Sequence, residues 1–529
     1  MKFELKTVEN VLYISAWILA CYYSLHKLIK AQTEVIEKDP DLLYFLRDLN
    51  PGWSFTSRLK DDSDVEWSSW KYFIQTSWFY MLLQFIVSET IRRNRIQFLK
   101  YWYIISTIVF IVLYMGAKQL LIIIAQPVIF AAIIFLGGKK ICIWLTSIVL
   151  LGTYNSLKYK YFFWQFLDSE QDEQVFLLLF GIAWVELRCI SYCLDYVDKK
   201  EEPTNLKGKR EAQVLTFEDI TNMFSYVLYL PLLYVGPIVL YEEFEKSFSV
   251  KCEKLSTRLK RFALDMFLFQ LYTFLLELSF HYIYFFAMQS NIEVRIISLP
   301  TLAICGGGLW MGLEFHVKYV ISYGTTGAFA RLDNIDPPPT PRCIARIHVY
   351  SQMWRYFDVG LYRFLVKYIY KPFYNSISNF VSLPRIVHKL ISSLGTFLFI
   401  FMWHGTQWNI FVWSILNYIG IMVEYAGKSV GHSAKYKWFK ENVLRTDAME
   451  VRFVAFLCAP LLGLSAISNF YLFAGSEVGN IYFGLLHWPS LYNLSVVYIS
   501  LYCSCQVAIA LKDVPSRTDI KRTTEKKIE

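Results

Sequence analysis

Apolar runs recur from one end of the chain to the other, and each is about as long as the 17–25 residues that an α-helix needs to cross a bilayer. The composition agrees with this feature, since 55% of the 529 residues are hydrophobic and 18% are charged. An ordinary soluble domain carries about 25% charged residues. The sequence therefore predicts an all-α polytopic membrane protein with about 10–12 transmembrane helices plus re-entrant segments, folded as one membrane domain.

Positive charges collect in alternate loops, which predicts how the chain is oriented. Lys and Arg cluster at Arg92–Arg95, Lys139–Lys140 and Lys199–Arg210, whereas Asp168–Glu173 is acidic. Loops rich in Lys and Arg remain in the cytosol, so we expect the acidic loop on the outer side. The net charge of +9 is spread over such short loops. Nucleic acid needs a basic patch on a soluble face, and we therefore expect no nucleic-acid partner.

One apolar segment is a poor candidate for a regular span. Residues 222–240 contain Pro231 and Pro237, which remove backbone donors and break an ideal helix. Membranes tolerate irregular backbone only where protein or a cavity covers it. We expect this segment to be re-entrant.

A second segment, residues 331–385, starts with a proline run and then carries Arg363, Lys367 and Lys371 at intervals of four residues. Residues four apart share one face of a helix. The spacing predicts an amphipathic helix that lies in the cytosolic interface.

His404 is the residue whose position most suggests chemistry. The sequence Trp403-His404-Gly405 lies between the apolar runs 386–403 and 408–425. An imidazole titrates near neutrality, and an ionisable group at membrane depth is costly enough to indicate a function. The alternative is a histidine at a helix end that a backbone carbonyl or a water satisfies.

Asp358 is a second unusual residue, because it follows an aromatic segment and precedes Val359-Gly360. The alternative to a catalytic role is a carboxylate that pairs with Arg355 or with a helix N-terminus. The charge pattern places Asp358 on the cytosolic side and His404 on the outer side. Only a cavity through the membrane would bring the two together.

Other catalytic motifs are missing from the sequence. No Gly-x-Ser-x-Gly elbow, P-loop or His-Glu-x-x-His occurs, which argues against hydrolases, nucleotide-driven motors and zinc proteases. Most of the ten cysteines lie inside apolar runs, where Cys behaves as a small hydrophobe, so we expect no disulfide framework. Proton transfer by one His on an activated substrate remains.

Several motifs resemble the membrane-bound O-acyltransferase superfamily, and within it the hedgehog acyltransferase branch. The run Met353–Leu361, with the sequence Met-Trp-Arg-Tyr-Phe-Asp-Val-Gly-Leu, is highly specific, whereas Trp403-His404-Gly405 is a weak signal without its apolar flanks and Asn417. The other strong parts of the resemblance lie at residues 234–238, 329–333, 341–343, 468–470 and 476–479. The resemblance covers roughly residues 220–515. It implies the acyltransferase fold of this superfamily.

The resemblance also implies roles for individual residues. His404 occupies the position of the catalytic base, and Asp358 occupies a second catalytic position that holds Asn in most of the superfamily. Substrate binding is expected from Trp354, Arg355 and Asn417. A further expectation, that Cys343 binds the iron of haem b through its thiolate, competes with the simpler interpretation of Cys343 as a buried thiol.

The implied reaction is transfer of palmitate from palmitoyl-CoA to the N-terminal Cys amine of a secreted hedgehog-type signalling protein in the lumen of the endoplasmic reticulum. An α-amino group has a pKa of about 8, so a base that titrates near neutrality suffices to deprotonate it. Two alternatives remain open. One is acylation of a small lipid or sterol, and the other is a non-catalytic scaffold with the same fold.

The expected organisation has three parts, namely N-terminal helices over residues 1–210, an acyltransferase core with the active site over 211–515, and a cytosolic tail over 516–529. In the tail, Lys526 and Lys527 resemble a dilysine retrieval signal. That signal predicts a multi-pass protein of the endoplasmic reticulum membrane. The alternative is an ordinary solvated basic tail.

Overall fold

The computed structural model describes residues 2–38, 49–168, 171–201, 215–289, 296–297, 299–486 and 490–512. Within these ranges the chain is almost entirely helical, apart from two short antiparallel strands, β1 (Leu49–Pro51) and β2 (Leu59–Asp61). The tail 516–529, with Lys526 and Lys527, lies outside the described residues. The division of the chain at residues 210 and 515 stays a prediction.

The first part of the chain contains seven described helices. They are α1 (Lys2–Lys38), α2 (Val65–Asn94), α3 (Leu99–Phe110), α4 (Ala117–Phe135), α5 (Lys140–Tyr159), α6 (Phe162–Leu167) and α7 (Asp172–Glu201). A 3₁₀ turn, Ile96–Phe98, precedes α3, and a π turn, Ile111–Met115, extends it.

The middle of the chain has shorter and more irregular elements. They are α8 (Phe217–Val227), a 3₁₀ turn (Leu230–Leu232), α9 (Tyr241–Ser249), α10 (Leu255–Ser279), α11 (Phe285–Gln289), α12 (Thr301–Leu332), a second 3₁₀ turn (Ile344–Arg346), α13 (Tyr350–Phe357), α14 (Val359–Phe364), a π turn (Leu365–Tyr370) and α15 (Lys371–Phe380).

The last part of the chain returns to long helices. They are α16 (Arg385–His404), α17 (Trp408–Gly431), α18 (Ala434–Phe439) with a π turn (Lys440–Leu444), α19 (Asp447–Gly484) and α20 (Leu491–Ala510). The N-terminal helix α1 packs against α12 and α20, so the two ends of the chain share one helical bundle.

The described residues include nine helices that are long and apolar enough to cross a membrane. Three further helices, α1, α2 and α12, have 37, 30 and 32 residues. At 1.5 Å per residue each exceeds the roughly 30 Å of a hydrocarbon core, although each carries more charge. Together these helices agree with the predicted all-α polytopic fold and with its predicted number of spans.

The broken segment predicted at residues 222–240 is confirmed. Its backbone leaves α8, makes a 3₁₀ turn and continues without regular structure to α9. The Tyr226 hydroxyl donates to the carbonyl of Val239 at 2.7 Å, and the rings of Tyr226 and Tyr241 lie 5.5 Å apart. The two ends of the segment are therefore adjacent, and its chain turns back inside the protein.

Side chains of α7 satisfy this irregular backbone. Arg188, only 2% exposed, donates to the carbonyls of Val227 and Leu232. Trp184 donates from its indole nitrogen to the carbonyl of Gly236 at 2.8 Å. Backbone groups that are withdrawn from water need such partners, which explains how the segment can be buried.

The amphipathic helix predicted around Arg363, Lys367 and Lys371 is present as α14, the π turn and α15. Its apolar side is buried at Phe364 and Tyr368. On its positive side, Arg363 and Lys367 pair with acidic residues of the protein. Those pairs are Arg363 with Glu243 at 2.7 Å, and Lys367 with Glu242 at 2.7 Å and with Asp195 at 2.9 Å.

Candidate functional site

One large cavity of about 1810 Å³ runs between the helices. Its lining includes both His404 and Asp358, the two residues that the sequence places on opposite sides of the membrane. Pockets for small ligands are typically about 300–1,000 Å³. The cavity therefore has room for more than one small ligand, and it supplies the connection that the sequence left open.

The position of His404 follows from the way α16 ends. Gly405 adopts φ +127°, a conformation that L side chains rarely adopt, and its amide donates to the carbonyl of Phe401 at 3.2 Å. Glycine is the residue that reaches such angles without strain. The helix therefore stops at His404, and the imidazole lies at the end of a membrane-length helix.

Two tryptophans hold the imidazole edge to face. The ring centroids of Trp403 and Trp413 lie 4.7 and 5.0 Å from that of His404. Each indole is fixed in turn, Trp403 by the carbonyl of Ala183 at 3.1 Å and Trp413 by Oδ1 of Asn469 at 3.0 Å. The aromatic contacts orient the ring without using its nitrogens.

Neither ring nitrogen of His404 has a hydrogen-bond partner among the described residues, although the ring is partly accessible. The alternative that a backbone carbonyl satisfies this histidine therefore has no support in the described part of the chain. Both nitrogens remain available to a substrate, which is the arrangement that a general base requires.

Asp358 is held much more firmly. Its Oδ1 accepts from the amide of Leu361 at 2.8 Å and so caps the N-terminus of α14, and its Oδ2 accepts from the Tyr323 hydroxyl at 2.8 Å. Burial raises the pKa of Asp358, whereas these hydrogen bonds act in the opposite direction. The alternative role at a helix N-terminus is thus correct as geometry. The expected partner Arg355 instead lies against Tyr356.

The other predicted substrate-binding residues divide into two groups. Trp354 and Arg355 line the cavity. Asn417 is 0% exposed and lies behind the cavity wall, where its amide accepts from the Trp354 indole at 3.1 Å and donates to the carbonyl of Trp413 at 2.8 Å. Because Trp413 contacts His404, this position favours support of the wall over contact with substrate.

Cys343 begins the 3₁₀ turn at Ile344 and is exposed. The interpretation as a buried thiol is therefore wrong. The thiol does not line the large cavity, although the following residues Ile344 and Ala345 do. An enclosed porphyrin needs walls around its axial ligand, whereas Cys343 is exposed. The surroundings of this thiol do not fit the haem site that the resemblance implies.

Charged residues at the two ends of the cavity were missed by the sequence analysis. At one end Lys318 is 2.6 Å from Asp64 and 2.9 Å from Glu66, with Glu314 at 3.6 Å. Two carboxylates, Asp64 and Glu66, lie within 3 Å of one ammonium and leave this end negative. The opposite end is lined by four lysines, namely Lys371, Lys389, Lys428 and Lys512.

Lys158 was missed as well, and it also lines the cavity. The charge pattern offered a signal for it. The last turn of α5 lies next to the loop that the sequence assigns to the outer side, where lysine is less frequent than in cytosolic loops.

A family model gives the class of the protein. The model of MBOAT, the membrane-bound O-acyltransferase family, matches residues 128–459. The chain belongs to the membrane-bound O-acyltransferase family. The match begins within the region 1–210 that the sequence analysis separated from the core, so family similarity extends further towards the N-terminus than the quoted motifs.

Individual relatives place the chain within this family. The protein-cysteine N-palmitoyltransferase Rasp of Drosophila melanogaster is 28% identical over 461 residues, 86% of each chain. The protein-cysteine N-palmitoyltransferase HHAT of Mus musculus is 28% identical over 378 residues, 69% of this chain and 71% of its own. The HHAT-like protein of Mus musculus is 24% identical over 386 residues, 72% and 71% of the two chains. These matches confirm the predicted branch.

Proposed function

We propose that the protein is a protein-cysteine N-palmitoyltransferase, which moves palmitate from palmitoyl-CoA to the N-terminal Cys amine of a secreted hedgehog-type protein in the lumen of the endoplasmic reticulum. The observation that carries the proposal is one cavity that contains both Asp358 and a His404 without a hydrogen-bond partner among the described residues. Its occurrence in a chain similar to two such transferases along most of its length supports the assignment.

His404 acts as the general base in this proposal. It takes a proton from the α-amino group, whose nitrogen attacks the thioester carbon and forms the amide bond. The bond from carbon to sulfur breaks, and the CoA thiolate leaves and takes up a proton. Since the thioester is already activated, the protein has to position the two substrates and remove a proton.

The lysine end of the cavity fits the acyl donor. Among the described residues, no ion pair is formed by the side chains of Lys371, Lys389 or Lys512. CoA carries several phosphate charges, and lysine ammoniums are common phosphate ligands. We assign this end to the cytosol, in agreement with the predicted orientation, and the apolar middle of the cavity to the acyl chain.

The carboxylate end fits the acceptor. At neutral pH an α-amino group with a pKa of about 8 is mostly an ammonium, and the carboxylates of Asp64 and Glu66 outnumber the single cation Lys318. This end would attract a cationic peptide terminus by charge complementarity. We assign it to the lumen.

The test is an acyl-transfer assay with purified protein in liposomes. An alkyne-tagged palmitoyl-CoA is offered together with a peptide that starts with Cys, or with the same peptide acetylated at its N-terminus. We expect labelling of the free peptide only, and its loss in His404→Ala. Absence of transfer by the wild-type protein, or equal transfer by His404→Ala, would contradict the proposal.

The same assay separates the alternatives. Labelling of an added sterol or small lipid in place of the peptide would identify a lipid acyltransferase. Binding of palmitoyl-CoA without turnover on any acceptor would identify a scaffold. Labelling of the acetylated peptide would show that the acceptor is the cysteine thiol and not the α-amine.

A further inference from the structure

Lys158 lies on the face of α5 that bonds to the segment around His404. Two residues on the same face of α5 bond to the segment around His404. Asn155 donates from Nδ2 to the carbonyl of Met402 at 2.9 Å, and the Tyr159 hydroxyl accepts from the amide of Thr406 at 3.0 Å. Positions 155, 158 and 159 lie on one helical face, so these bonds turn the face that carries Lys158 towards the segment around His404.

The charge of Lys158 is not used elsewhere in the described structure. Its side chain lines the same cavity as His404 and Asp358 and forms no hydrogen bond or ion pair with a described residue. An unpaired ammonium within a cavity of a membrane protein is costly, which points to a ligand that it meets there.

A simpler interpretation exists for a lysine in the last turn of a helix. Such lysines interact favourably with the helix C-terminus and extend into water. Lys160, two residues further along, fits that description, because it is exposed and does not line the cavity. Lys158 differs from it in both respects, and Lys160 is therefore the natural control.

We propose that Lys158 is a further catalytic residue, whose ammonium stabilises the oxyanion that forms when the acceptor amine attacks the thioester carbonyl. This inference rests on the proposed acyl transfer. As the bond from nitrogen to carbon forms, the carbonyl π electrons move to oxygen, and the negative charge lies beside the ammonium. When the carbonyl re-forms, the bond to sulfur breaks and the CoA thiolate leaves. His404 carries the proton taken from the amine, and Lys158 stays protonated throughout the step.

The size of the effect follows from the role. Loss of one donor to an oxyanion costs about 10²–10³ in kcat, and the group acts mainly in the transition state. We therefore expect Lys158→Met to lower kcat by about 100-fold and to change KM for palmitoyl-CoA by less than about threefold. Lys158→Arg keeps the charge and should retain at least about tenfold more activity than Lys158→Met.

The experiment measures kcat and KM of Lys158→Met, Lys158→Arg and Lys160→Met, together with their melting temperatures, in the liposome assay. Lys160→Met should match the wild-type protein. A wild-type kcat in Lys158→Met, or equal losses in the Met and Arg variants at unchanged melting temperature, would overturn the inference. A folded Lys158→Met that loses only affinity for a substrate would also overturn it.

Failure of this inference can be distinguished from failure of the proposed function. If the wild-type protein transfers no palmitate to the peptide, the proposed function fails. If the wild-type protein is active, His404→Ala is inactive and Lys158→Met is fully active, only the role of Lys158 fails. Mass spectrometry of the protein after turnover adds one more outcome, since palmitate attached to Lys158 would make it an acceptor and would contradict the assigned role.

Discussion

The surroundings of His404 and of Asp358 differ in one respect that decides how each can act. His404 is fixed by aromatic contacts to Trp403 and Trp413, and its nitrogens have no partner among the described residues. Asp358 instead bonds through both carboxylate oxygens, to Leu361 and to Tyr323. The ring nitrogens of His404 are therefore available to a ligand, whereas the carboxylate oxygens of Asp358 are bonded within the cavity wall.

The difference implies that substitutions at the two sites have different consequences. A side chain without hydrogen bonds can be removed with little change in stability, because no buried partner is left unsatisfied. A carboxylate that caps a helix contributes to both stability and function. Variants at these positions can therefore show whether Asp358 shares the chemistry of His404 or only shapes the cavity.

Replacement of His404 should have the largest effect. General acid–base catalysis contributes about 10²–10⁴-fold to a rate, so we expect His404→Ala to lose at least about 100-fold in kcat. Its melting temperature should stay near that of the wild-type protein. Parallel measurement of turnover and thermal unfolding checks both expectations, and a large fall in melting temperature would remove the contrast with Asp358.

Substitutions of Asp358 should separate its two roles. Asp358→Ala loses the cap, which costs about 1 kcal/mol of stability, as well as the hydrogen bond from Tyr323. Asn caps helices about as well as Asp, so Asp358→Asn should keep the stability and lower kcat by about tenfold or more through loss of the charge. Wild-type turnover in Asp358→Asn would show that the residue is structural only.

Tyr323→Phe should have a smaller effect of the same kind. It removes a hydrogen bond to a charged group, worth about 1.5–3 kcal/mol. Because that bond acts against the increase of the Asp358 pKa by burial, its loss should raise the pKa further. We expect the acidic limb of the pH–rate profile to move to higher pH. An unchanged profile would show that the ionisation of Asp358 does not determine the pH dependence.

The lysine end of the cavity should affect affinity and leave turnover unchanged. Single replacement of Lys371, Lys389 or Lys512 by Gln removes one partly solvated charge, worth about 1 kcal/mol or less. The KM for palmitoyl-CoA should rise about two- to fivefold, and the increase should shrink at high salt. A fall in kcat at constant KM would contradict this expectation and indicate that these lysines take part in the catalytic step.

Cys343 should have the smallest effect. Its thiol is exposed, so Cys343→Ser should leave the visible absorption spectrum of the purified protein unchanged. A Soret band that is present in the wild-type protein and lost in Cys343→Ser would restore the haem site implied by the resemblance.

Much of the fold was predictable because it depends on local pattern. The length of each apolar run determined the spans, Pro231 and Pro237 marked the broken segment, and Trp403-His404-Gly405 marked the end of α16. Other features depend on distant segments that meet in space. One example is the bond from the amide of Asp61 to the carbonyl of Phe280, which lies directly after α10 ends at Ser279.

The site was predictable only as separate residues for the same reason. No local pattern joins Asp358 to His404, or Asn417 to the back of the cavity wall. The placement of Lys158 in the site depends on the bonds of Asn155 and Tyr159 to the segment around His404, which the sequence does not show. Periodicity and motifs predict elements and candidate residues, but the way those residues meet depends on helix packing.

The central claim is that one cavity lets a donor from the lysine end meet an acceptor from the carboxylate end at His404. Proteoliposomes of known orientation test it most directly, with palmitoyl-CoA added on the face where Lys389 lies and the Cys peptide present only on the opposite face. We predict amide-linked palmitate on the peptide, and none with His404→Ala. Transfer that occurs only when donor and peptide share one face would contradict the account.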